Sequence, residues 1–223
     1  MAKKRGRSAQ HRKAEEYEQK GLQAYEEWNI DYAIECYTKA SELLPDDPDC
    51  LLDLARALAR GGDFDRALKA LADFIRLEPD SPVTERFEQL FASGMDEVEI
   101  LLTDKMTAGE NPLELIGAAI QMWLEYRIAL GRNTLIMRKP ETWAAALDYT
   151  IRKVNLRSVT RQGIANFYNI SESAVRDRHL DLVGTLDVMP CDYRYFVGKA
   201  NPLDKLVEAA ELLEQLEAHF QEP

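Results

Sequence analysis

The chain repeats itself with a period of 34 residues, and that recurrence limits its fold more than any other feature. Ala33 and Ala67, Tyr37 and Leu71, Ala40 and Phe74, and Pro45 and Pro79 stand one period apart, so "DYAIECYTKASELLPD" aligns with "DRALKALADFIRLEPD". Each copy is long enough for two short helices and a turn. A unit of that size cannot bury its apolar face alone and must stack on a neighbour. Gly21 and Ala55 put small residues where a first helix meets its partner most closely. Trp28-Asn29 and Gly61-Gly62 supply the turns inside the hairpins. Pro45 and Pro79 end the second helices, because a proline inside a helix removes a hydrogen bond and clashes with the preceding turn.

Small residues at the helix contacts and a closing proline, set at this spacing, resemble the tetratricopeptide repeat over residues 14–80. The resemblance implies a groove lined by the first helix of each pair, which holds a protein or peptide partner. On this sequence the groove positions are Glu18, Leu22, Tyr25, Leu52, Arg56 and Arg60. Some members of the family grip a C-terminal carboxylate with Lys and Asn. The matching places here read Glu18, Leu22, Leu52 and Arg56, so that clamp is missing. Arrays usually need about three units to close a core. A second reading therefore stays open, in which the two hairpins form a collar packed on the rest of the chain.

Beyond Pro82 the apolar residues keep helical spacing and never alternate as strands do. "VTERFEQLFASGMDEVEILLTDKM" reads as one long or two short helices, followed by "NPLELIGAAIQMWLEYRIALG" and "KPETWAAALDYTIRKVN". The first of these last two opens on Asn111 and Pro112 and stops at Gly131. "TRQGIANFYNISESAVRDRHLDLVGTLDV" fits a helix-turn-helix over 160–186. Ala165 marks the crossing, Asn169 the left-handed turn, Ile170 the corner plug and Ser171 the cap. Val175, His179, Leu182, Val183 and Leu186 form the buried stripe. An alanine-rich helix before a helix-turn-helix resembles the cyclin-like repeat of transcription factor IIB, over residues 83–188. That implies a five-helix domain able to meet DNA or protein. Only one such repeat is present and no zinc ribbon precedes it, so recruitment of a polymerase is not implied. The expected fold class is all-α, with tetratricopeptide hairpins followed by this cyclin-like domain.

Net charge is −11, unevenly spread. Residues 1–13 carry +6 and no acid, and without apolar periodicity they read as a disordered basic tail. The stretch 151–187 carries +2, while 14–80 carries −10. A polyanion such as duplex DNA would be drawn to the tail and to the helix-turn-helix. The candidate nucleic-acid contacts are Arg157, Arg161, Gln162, Ser171, Ser173 and Arg176. Asp177 and Leu180 on the outward face of the second helix favour a protein contact instead. Two functions from different classes thus remain: a regulatory protein joining protein binding to nucleic-acid contact in transcription, and an adaptor that binds protein alone.

Nothing in the sequence points to catalysis. No phosphate-binding glycine loop or catalytic triad appears. Cys36, Cys50 and Cys191 are scattered and odd in number, which suits a reducing cytoplasm better than disulfides or a metal site. No cofactor and no metal are expected, and no apolar run suits a membrane span. Tyr193, Tyr195 and Phe196 read as a strap before an amphipathic helix over 201–221, with base stacking as the alternative.

Overall fold

The computed structural model describes residues 9–91, 95–135, 137–198 and 201–204. Ten α-helices and no strand occur among the described residues, so the expected all-α class stands. The expected tail over 1–8 and most of the expected C-terminal helix, from 205 on, lie outside the described residues. Ala9–Lys13 differ from expectation. They form the first turns of a helix, with Ala14 wholly buried one turn further on. Five of the thirteen tail residues therefore belong to an ordered element.

The chain divides into two compact units, residues 1–96 with 124–138 and residues 97–123 with 139–223. In the first, α1 (Ala9–Glu26), α2 (Ile30–Leu43), α3 (Pro48–Arg60) and α4 (Phe64–Leu77) make the two hairpins, followed by α5 (Pro82–Phe91). A Cβ on Gly21 would lie 2.9 Å from the Tyr37 ring, so glycine is what lets α1 and α2 approach here. Asn29, Asp47 and Asp63 accept hydrogen bonds from Tyr32, Asp49 and Arg66 backbone N–H groups and cap α2, α3 and α4. Helices α2 and α4 stop at Leu43 and Leu77, two residues before their prolines. The core joins Ala33, Tyr37, Leu58, Leu71 and Phe74 to Phe87 of α5 and to Ile128.

That last residue departs from the expected boundary near residue 80. Arg127 pairs with Asp96 at 3.0 Å, both side chains buried. Arg86 donates to the carbonyl of Asn133 at 2.7 Å and to that of Gly131. Arg132 reaches Asp49 at 2.7 Å and Glu78 at 2.9 Å. Gly131 has φ +53°, a conformation L side chains rarely adopt, and a Cβ there would lie 3.3 Å from the Arg56 side chain. Residues 124–138 are thereby folded onto the hairpins.

The second unit contains α6 (Glu97–Ala108), the part of α7 (Leu113–Ala129) up to Trp123, α8 (Pro140–Val154), α9 (Arg161–Tyr168) and α10 (Glu172–Leu186). Helix α8 is its centre: Trp143, Ala144, Ala145, Ala146, Leu147 and Ile151 are buried, and Trp143 meets Trp123 with ring centroids 5.4 Å apart. Thr160 caps α9, Asn169 ends it in the left-handed region at φ 56°, and Ser171 caps α10. Ala165 is fully buried at the crossing, as the pattern requires. After α10 the strap holds to Asn155, whose side-chain amide donates to the Tyr195 carbonyl at 3.0 Å and accepts from Val197 N–H at 2.6 Å.

Candidate binding surfaces

Of the six expected groove residues, the structure brings three together. Arg56 and Arg60, one turn apart on α3, both lie over the Tyr25 ring of α1, at 5.3 and 4.6 Å. Trp28, which the sequence marked only as a turn, completes the cluster with Arg60 at 3.5 Å over its ring. Trp28 has φ 63°, unusual for so large a residue, and is 44% exposed. Stacking fixes the guanidinium plane and leaves its edge available to a planar anion such as a carboxylate. Arg56 already pairs with Asp53 at 2.9 Å. Arg60 has no carboxylate partner among the described residues, and the Nε atoms of both arginines are buried without a hydrogen-bond acceptor. Leu22 and Tyr32 add exposed apolar surface to the same hairpin.

The other expected groove residues serve other ends. Leu52 is a correction: at 3% exposure it belongs to the core and cannot line a groove. The reason is that α3 is packed on most of its circumference, since Asp49 and Arg56 on its remaining face meet Arg132 and Gly131. Glu18 accepts a hydrogen bond from the buried Cys50 thiol. Burial, then Glu18, pushes that thiol's pKa upward. Glu18, Asp47 and Cys50 place possible ligand atoms within 4.8 Å of one another, a grouping the sequence reading missed because Glu18 of α1 meets the start of α3 only after the helices pack. With the thiol held protonated, hydrogen bonding accounts for the contact.

In the second unit the six expected nucleic-acid contacts are all exposed. Arg161 pairs with Glu172 at 3.4 Å and Arg176 with Asp177 at 2.9 Å. Gln162 donates to Asn166, while Ser171 and Ser173 share a hydrogen bond at the α10 cap. Arg157 alone of the four charged or amide side chains has no partner among the described residues. Arg178 also pairs, with Asp181 at 2.8 Å, and covers the Trp143 ring. Leu180 stands 60% exposed on the outward face of α10.

The geometry of the hairpins agrees with the comparison to known families, in which residues 24–84 match the tetratricopeptide repeat. The class defined by fold and match is an all-α protein carrying a tetratricopeptide repeat, a scaffold that points to protein–protein interaction. Among individual proteins, the chain is similar to Uncharacterized protein YccF of Bacillus subtilis (strain 168), 28% identical over 127 residues. That alignment covers 56% of this chain and spans about a third, 35%, of the relative's length. No solved structure is significantly similar to the chain. No helix among the described residues is long and apolar enough to cross a membrane.

Proposed function

We propose that the chain is a non-enzymatic adaptor whose first unit binds an acidic segment of a partner protein at Tyr25, Trp28, Arg56 and Arg60. The observation that carries this is Arg60, stacked on two aromatic rings and left without a carboxylate of its own. A net −10 over residues 14–80 makes this cationic edge local, so it selects a short acidic stretch rather than a polyanion. Capture from the cells that make the protein tests it. Wild type is expected to retain a protein partner that Arg60→Glu loses, while Leu180→Glu retains it. Equal recovery by wild type and Arg60→Glu contradicts the reading.

Nucleic-acid contact through a cyclin-like helix-turn-helix is the second reading, favoured by the left-handed corner at Asn169 and the unpaired Arg157. It is the weaker one. Arg161, Arg176 and Arg178 are already engaged by Glu172, Asp177 and Asp181, and breaking those pairs offsets part of any phosphate contact. Salt-titrated binding to duplex DNA separates the two. Affinity that falls steeply with salt and drops further in Arg157→Ala supports DNA contact, and no affinity at low salt removes it.

A further inference from the structure

A second site lies in the second unit, where α8, α10 and the loop after α10 enclose a cleft of about 210 Å³. Its lining is apolar at Val154, Val183, Val188, Met189 and Pro190, with three polar residues, Thr150, Lys153 and His179. The Thr150 hydroxyl donates to the Ala146 carbonyl at 2.6 Å and so must accept from His179 Nδ1 at 2.8 Å. That fixes the ring's proton on Nδ1 and leaves Nε2 as its remaining acceptor. Lys153 is exposed and has no carboxylate partner among the described residues. The Tyr149 ring meets His179 edge-on at 4.9 Å.

We propose that this cleft binds a small monocarboxylate with an apolar body, its carboxylate on Lys153 and His179 and its chain against the valines and Met189. Size argues for a small ligand, since sites for drug-sized molecules span about 300–1,000 Å³. Charge argues for an anion. The charged groups acting on the imidazole are Arg161 of α9, itself paired with Glu172 of α10, and Lys153 of α8, which has no carboxylate partner among the described residues. Burial first, then those two cations, lowers the His179 pKa, so the free ring is neutral near pH 7. A bound carboxylate reverses the balance. The ring takes one proton from solvent on Nε2 and donates it to the ligand, and the His179 pKa rises on binding. Affinity is therefore greatest in mildly acidic solution and falls as pH rises through the pKa of the complex.

The probe is hexanoate, titrated into the full chain with 13C-labelled histidine and followed by NMR. The chain has three histidines, and His179→Gln identifies the signal. The His179 resonance is expected to shift saturably with Kd on the order of 1 mM. Acetate, which lacks the apolar body, is expected to bind on the order of a hundredfold more weakly, and hexanol, which lacks the charge, about tenfold more weakly. Lys153→Gln, an exposed change that leaves the fold intact, is expected to weaken hexanoate about tenfold as well. The proposal is overturned if hexanoate gives no saturable shift, if acetate binds equally well as an adventitious ion only, or if Lys153→Gln changes nothing. Val183→Phe gives an independent check, because filling the cleft must abolish the shift.

Discussion

Trp28 occupies a backbone position that glycine or asparagine would hold with less strain, and its ring is spent on Arg60 rather than on the core. A left-handed conformation costs an ordinary side chain about 1–2 kcal/mol. An exposed cation–π contact returns about 0.5–1 kcal/mol. Trp28→Gly should therefore change the unfolding free energy measured in urea by no more than about 1 kcal/mol, while reducing partner capture. A loss of several kcal/mol would instead assign Trp28 a structural role. The sequence showed a turn at this place and nothing of the stack, because a cation on α3 finds its ring only after the hairpins have closed. Arg56 and Arg60 were named for their position in the repeat; their partners were not legible.

At the level of elements, the hairpins and the bihelical corner were both legible. Each rests on short-range rules: a small residue where helices cross, a cap, a proline stop and one left-handed residue at Asn169. The attachment of residues 124–138 to the hairpins was not. It depends on pairs remote in sequence, and the apolar pattern of α7 runs on without marking Leu124 as the place where the compact unit changes. Two arginines of this stretch should behave differently. Arg127→Ala breaks a buried ion pair by removing one partner, which costs about 3–5 kcal/mol. Arg132 is 46% exposed, so Arg132→Ala should cost no more than about 1 kcal/mol despite its two acidic partners. Thermal unfolding of the two variants checks the contrast, and equal losses would contradict it.

For the molecule as a whole, charge and composition pointed toward two kinds of partner, and the structure weighs them unequally. The repeat unit holds an arginine that its own acids leave open. In the helix-turn-helix, three of the four arginines nearest the corner pair with neighbouring carboxylates at the surface. Sequence alone could count these charges but not pair them, since pairing is set by side-chain geometry within a few ångströms. Protein binding at the first hairpin is accordingly the central claim. Its most direct measurement is photo-cross-linking in living cells, with a reactive amino acid at exposed position 22 on α1 and, as control, at exposed position 69 on α4. A discrete protein adduct is expected from position 22 that disappears when Arg60 is changed to Glu. The same products from both positions, or adducts to nucleic acid alone, would contradict it.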